Sequence, residues 1–277
     1  MTNGASKMAA ASAGCGWSVL KWATGTNFAI QLAGFSIANW FKTEKFFDLT
    51  GAMTNIVVPS MCFFMGRNNR SSRLLVCKIQ YACVVLWAAR LGSFLFYRVM
   101  KDDGDRRFDK IKKSTASFFA AWMVQGVWVS LISLPTCCMF LMQKNIPVRP
   151  APAHILGWSM FAVGFLLEAV ADQQKLSFNS NKENEKEFMR SGLWSLSRHP
   201  NYLGEVILWW GLYLSAVAST RCRFYRSSML ISPLFVTYLL GVFSLNMLER
   251  SSEKKYGSHP DYQSYKDTTR KLIPFLY

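Results

Sequence analysis

The residues best able to do chemistry form one short block, Arg198-His199-Pro200-Asn201-Tyr202, with Gly204 and Glu205 close behind it and an aromatic and aliphatic run directly after. Pro200 suits the first turn of a helix, where its missing N–H costs nothing, and Gly204 one turn later lets another group approach the backbone. A helix start presents unpaired N–H groups and a partial positive charge, to which Arg198 and His199 add two donors, so a phosphate would fit this tip. Asn201 and Tyr202 offer hydrogen bonds to a ribose or an amide. Glu205 places a carboxylate at the edge of the apolar run, where a charge usually needs a partner. An isolated Arg-His-Pro also reads as a plain headgroup anchor, with Glu205 the ion-pair partner of a basic loop.

The elements that must position this block are apolar. Of 277 residues, 51% are hydrophobic, 15% aromatic and only 17% charged, the profile of a membrane protein. The mean hydropathy of +0.12 is modest because charge is segregated into a few loops. A bilayer core needs about 20 mostly apolar residues per helical span. Such runs predict an all-α integral membrane bundle of seven transmembrane helices, near Trp17 to Trp40, Leu49 to Gly66, Leu74 to Met100, Thr115 to Met142, Ile155 to Ala171, Glu205 to Ser219 and Met229 to Leu248. The segment from Glu205 is short, so "GLWSLSRHPNY" is expected to form a broken or interfacial helix, whose irregular backbone must line a cavity.

Residues 1–12 are expected to be disordered, and 13–277 to form a single polytopic domain, since no repeat, heptad seam or long linker is present. Lys7 and "MAAASAG" resemble the start of a signal peptide, but the apolar stretch is too long and too aromatic for one. Asn69-Arg70-Ser71 is a glycosylation sequon in a short loop. The seven cysteines show no paired spacing, and the three histidines lack ligand spacing. Reduced thiols and no metal are therefore expected.

With seven alternating spans, the loops near 41–48, 101–114 and 172–204 share one side with the tail from 249. Every acidic residue except Glu168 falls on or at the edge of that side. The positive-inside rule favours a cytosolic C-terminus, although both sides are nearly equally basic per loop residue. The net charge of +16 flanks hydrophobic helices and forms no stripe with interleaved aromatics. Anionic lipid headgroups are the expected partner, and nucleic acid is not. Lys78 can snorkel, whereas Arg90, mid-span, is structural or lines a pocket. Four stretches, "FDLTG", "GDRRFDK", "AVADQQK" with Asp172 and Lys175, and the tyrosine-rich tail, come to the same face as Arg198. A ligand mouth and a solvated charged rim both fit that placement.

"GLWSLSRHPNYLGE", "GFLLEAVADQQK", "FDLTG", "GDRRFDK" and "YQSYKDTTRKLIPFLY" together resemble the uncharacterised, steroid-5-alpha-reductase-like branch of a membrane superfamily. That superfamily also holds sterol C=C reductases and isoprenylcysteine carboxyl methyltransferases. The resemblance runs from about Phe47 to the C-terminus. It implies a bundle of about seven helices whose C-terminal half, about 155–277, binds NADPH from the cytosol, with a lipid-accessible pocket in the membrane. Glu168 and Asp172 stand at the spacing of an Asn-x-x-x-Asp pair that contacts the cofactor in steroid reductases, with the Asn replaced. Asn201, Tyr202, Gly204 and Glu205 match an Asn-aromatic-x-Gly-Glu stretch, and Arg198 and His199 match the sterol-reductase and methyltransferase form of the loop. Glu249 resembles an acidic family position. Lys175, Tyr262 and Tyr265 are further expected cofactor contacts.

Aligning Arg90 on the family's His-Tyr-x-x-Arg pattern puts Trp87 at the tyrosine position, and an indole cannot polarise a ketone as a phenol does. A different unsaturated lipid is then the expected substrate. The implied reaction is NADPH-dependent reduction of a C=C bond, with the cofactor supplying the hard chemistry and Asp48 or Tyr202 as the candidate acid. Asp48 also reads as a helix cap and Tyr202 as an interfacial anchor. A methyltransferase using S-adenosylmethionine shares "RHPNY" and the tail acid, but the paired acids expected there read Glu249-Arg250. A non-enzymatic membrane scaffold is the third reading. The endoplasmic reticulum is the expected membrane, and no retention signal is evident.

Overall fold

The computed structural model describes residues 2–65, 74–141, 150–184, 186–220 and 222–274, with side chains from Ser18 onward and only the backbone of Leu74. The Asn69 sequon lies outside them. The described residues are helical, with no strand among them. In chain order the helices are α1 (Thr2–Phe41), α2 (Phe47–Met65), α3 (Leu74–Lys101), α4 (Phe108–Ile111), α5 (Thr115–Leu141), α6 (Pro152–Ser180), α7 (Pro200–Ala218), α8 (Arg223–Tyr238), α9 (Leu245–Tyr256) and α10 (Pro260–Thr268). Helix α1 takes in residues 2–12, for which the sequence predicts disorder.

Among the described residues, five helical stretches are long and apolar enough to cross a bilayer: Phe47–Met65, Leu75–Lys101, Thr115–Leu141, Pro152–Ser180 and Arg223–Tyr256. The chain is a multi-pass integral membrane protein. The two other expected spans lie in α1, diluted by Lys21, Asn27, Gln31 and Asn39, and in α7, diluted by Asn201 and Glu205. Helix α6 continues well past Ala171, where its apolar run ends, because hydropathy marks a membrane edge and not the end of hydrogen bonding. Pro200 does open α7, as its residue type predicts. Between α8 and α9 the helix passes through a π segment, Leu239–Ser244.

The chain divides into two compact units. The first comprises residues 1–154 and 215–232, and in it α2 packs on α1, α3 and α5. Apolar packing alone gives little preference for one helix pairing over another in lipid, and buried polar side chains supply it. Asn27 Nδ2 donates to Gly126 O at 2.6 Å and to Ser130 Oγ at 2.8 Å. Gln31 Nε2 donates to Thr54 Oγ1 at 3.2 Å, Ser133 Oγ to Asn55 Oδ1 at 3.2 Å, and Gln80 Nε2 to Thr136 Oγ1 at 3.1 Å. At one end Phe108, Phe118 and Trp122 form a buried aromatic cluster with Phe35, Phe46 and Phe47 around it. Beside it, Glu44 accepts from the Asp105 N–H and from Lys112 Nζ, both at 3.0 Å. Burial works to raise the Glu44 pKa, but these two donors outweigh it and hold the carboxyl below its ordinary value.

The second unit comprises residues 155–214 and 233–277. Its centre is the crossing of α6 and α7, where glycines let two backbones meet. A Cβ on Gly164 would lie 2.5 Å from Gly204 O, and one on Gly204 would lie 2.6 Å from both Gly164 O and Glu168 N. One heptad further along α7, a Cβ on Gly211 would lie 2.7 Å from Phe161 N. Close approach through small residues is how helices associate where lipid removes the hydrophobic drive. The approach that Gly204 permits is thus taken by α6. Since backbone cannot yield as a side chain can, Gly204→Ala is expected to destabilise the protein by about 1–3 kcal/mol. Gly25→Ala in α1, with nothing within 4 Å of the new Cβ, should be neutral or slightly stabilising. Thermal melts in detergent compare the two, and a Gly204→Ala protein that melts like the parent would contradict the contact.

Candidate functional site

The second unit builds its site around the loop that feeds α7. A 3₁₀ turn, Gly192–Ser195, is pinned to α6 by side chains from both partners. Leu193 N–H donates to Gln174 Oε1 at 3.0 Å, and Trp194 Nε1–H to Ala171 O at 3.1 Å. Gly192 sits at φ +62°, and a Cβ there would also strike the Gln174 amide at 2.5 Å, so glycine is required twice over. The C-terminal segment closes the other side. Arg198 N–H donates to Arg270 O at 2.9 Å, Ser197 Oγ to Leu272 O at 2.7 Å, and Tyr265 OH to Trp194 O at 2.7 Å.

This double anchoring buries the Arg198 and His199 side chains to 8% and 7% exposure. Both meet Glu249 of α9. Arg198 Nη1 lies 2.7 Å from Glu249 Oε2, and His199 Nε2 lies 2.8 Å from Oε1. A buried guanidinium needs such a counter-charge. The contact is an ion pair without hydrogen-bond alignment, and neither Nε nor Nη1 of Arg198 has a hydrogen-bond partner among the described residues. The two donors expected to be open for a phosphate therefore already face the chain's own acid.

Arg198, His199 and Glu249 line a cleft of about 350 Å³ together with Lys175, Trp194, Phe188, Ser252, Lys255 and the tyrosines 256, 262 and 265. Lys175 Nζ sits 4.3 Å over the Trp194 ring. Phe188 gathers the tyrosines, edge-on to Tyr262 at 5.1 Å and tilted against Tyr265 at 5.2 Å. Burial pushes the phenols of Tyr262 and Tyr265 above their ordinary pKa, so both stay protonated and able to donate.

Of the residues singled out in the sequence, Lys175, Arg198, His199, Glu249, Tyr262 and Tyr265 come together around this cleft. Asp172 Oδ1 accepts from Asn201 Nδ2 at 3.2 Å, which ties the end of the α6 apolar run to the first turn of α7. Tyr202 stacks on His199 with ring centroids 5.9 Å apart. Glu168 is buried at 2% exposure where α6 meets Gly204. Glu205 is half-buried on α7. Asp48 belongs to the first unit, in the first turn of α2, where its carboxylate pairs with Arg107 at 2.5 Å. Phe188, Ser252 and Lys255 escaped the sequence reading. Phe188 had one signal, a lone aromatic ending a run of charged and amide residues.

Burial draws the His199 pKa below its ordinary value of 6.5. The Glu249 carboxylate opposes this shift, while Lys175 and Arg198 reinforce it. His199 is then neutral near pH 7 and donates Nε2–H to Glu249. A depressed folded-state pKa means that the unfolded chain binds the proton first, so stability is fully present above about pH 6.5 and is lost as pH falls through the folded value. Melting temperature is expected to drop as pH falls below about 6.5, and His199→Gln should flatten that part of the profile. An unchanged slope in the variant would exclude His199 as its source.

Residues 34–269 match the family described as "Protein of unknown function (DUF1295)". An uncharacterized protein of Schizosaccharomyces pombe is 26% identical over 245 residues, covering 76% of this chain and 66% of that protein. The chain thus spans a little under two thirds of the length of that relative. No solved structure matches it. Since the family match covers most of the chain, with α2 to α10 inside it, this membrane protein belongs to the DUF1295 family.

Proposed function

We propose that this chain is a membrane-embedded, NADPH-dependent reductase acting on a C=C bond of a sterol, steroid-like or other unsaturated lipid. The observation that carries the proposal is Arg198, a guanidinium more than nine-tenths buried, lining the cleft, with Nε lacking an acceptor. Such a group is costly to leave unmet and strong when it meets a phosphate. The other lining residues suit the same ligand. Lys175 and Lys255 add positive charge, and the half-buried Tyr256 offers a ring to a base. A cleft of about 350 Å³ takes the adenosine and phosphate part of a dinucleotide, within the usual range of ligand sites.

When bound, NADPH supplies the hydride that ends on the β-carbon of the polarised C=C. The chain's share is to hold the phosphates through Arg198 and Lys175, with Glu249 fixing the Arg198 and His199 side chains, and to provide a proton for the α-carbon. Of the two acids considered, Asp48 is held by Arg107 as an acceptor, which leaves Tyr202 or a water beside it as the donor in this reading. Seven crossings, a cytosolic C-terminus and residence in the endoplasmic reticulum belong to the same proposal.

The ten tryptophans, Trp194 among them, make intrinsic emission the direct test. Purified protein should show saturable quenching with NADPH and none with S-adenosylmethionine. The reverse result supports a methyltransferase, and no response to either supports a scaffold. Arg198→Gln should weaken NADPH binding by about 1.5–3 kcal/mol, the scale of a hydrogen bond to a charged group. An unchanged affinity would remove Arg198 from the site.

A further inference from the structure

We propose that the cleft continues past Lys255 and Tyr256 into a second anion subsite, and that this subsite takes the phosphate monoester on the ribose of the dinucleotide. The inference rests on the dinucleotide reading of the first cleft and names the residues that would choose NADPH over NADH. A second cleft of about 420 Å³ is lined by Lys186, Lys255, Tyr256, Ser258, His259 and Pro260, so Lys255 and Tyr256 stand in the walls of both. Lys255 Nζ lies 4.7 Å over the Tyr256 ring, which holds the shared wall together.

The wall is fastened on its far side as well. Arg190 pairs with Asp261 at 2.6 Å, His259 with Glu187 at 3.3 Å, and Phe188 stands edge-on to His259 at 5.2 Å. These contacts also dispose of the nearby acids. Glu187 is taken by His259, Asp261 by Arg190, and Glu253 by Lys266 at 2.6 Å. Lys186 and Lys255 are left as the cations of the second cleft without a carboxylate partner among the described residues. Pro260, at the start of α10, lines the same cleft.

Two anion subsites on either side of an aromatic wall match one ligand chemistry: an adenosine with a diphosphate at its 5′ end and a monoester on its ribose. The inner subsite has Arg198, buried and short of acceptors, for the less exposed phosphates. The outer one has two exposed lysines for a dianion that keeps part of its hydration.

Titrations of the full-length protein in detergent with NADPH and with NADH, read by tryptophan quenching, test the inference. The parent protein is expected to bind NADPH at least about tenfold tighter than NADH. Lys186→Ala, which lines the outer cleft alone, should lose much of that preference by weakening NADPH alone, with NADH affinity kept within about twofold as the control for folding. Lys254→Ala, outside both clefts, should keep the preference. Equal affinity for the two nucleotides in the parent, a preference undiminished in Lys186→Ala, an equal loss for both nucleotides, or the same loss in Lys254→Ala would each overturn the subsite. Binding without preference leaves the dinucleotide reading standing, whereas no saturable binding of either nucleotide overturns both.

Discussion

The second unit turns on one carboxylate. Glu249, near the middle of α9, faces both Arg198 and His199 and is the counter-charge that lets a guanidinium sit almost out of water. Without it the cation would be uncompensated, and breaking one partner of such a pair is strongly destabilising, by about 3–5 kcal/mol. With it, the loop before α7, the end of α6 and the C-terminal segment are drawn to one point. An ion contact that stops short of hydrogen-bond alignment leaves the arginine partly unspent.

That point can exist only because α6 and α7 meet at backbone distance. Gly164 and Gly204 set the approach, and Asp172 with Asn201 lies one to two turns along from it. The helix crossing and the site are thus parts of one construction. The first unit is organised differently. There the specificity comes from amides and hydroxyls, Asn27, Gln31, Gln80 and Gln125 against neighbouring helices, and from the Glu44 and Asp48 carboxylates closing onto Lys112 and Arg107 at one end. The stretches "FDLTG" and "GDRRFDK", expected on one face, are joined there directly by the Asp48–Arg107 pair.

The helical class was readable from apolar run length, and the start of α7 from Pro200, because both follow from residue type alone. The end of α6 was not readable, since its last turns are polar and depend on hydrogen bonds that hydropathy does not register. Arg198, His199, Tyr262 and Tyr265 could be named from their types and company. Their closure onto Glu249, about fifty residues from His199, could not, because an ion pair between distant segments leaves no local trace. Phe188 and Lys255 were missed for a related reason. One aromatic in a polar loop, or one lysine among several, reads as ordinary surface until packing shows which faces which.

The π segment at Leu239–Ser244 bears on how such a chain can vary over time. A π turn accommodates an extra residue relative to α geometry, and each residue of an α-helix advances the side-chain direction by about 100°. Everything downstream is therefore re-phased, and the polar face of α9 is swung relative to the greasy face of α8. Loss or gain of one residue within that turn would leave the composition and hydropathy of the chain nearly the same. It would still rotate Glu249 away from the basic pair, so length in this stretch is constrained even where the identity of its aliphatic side chains is free to drift.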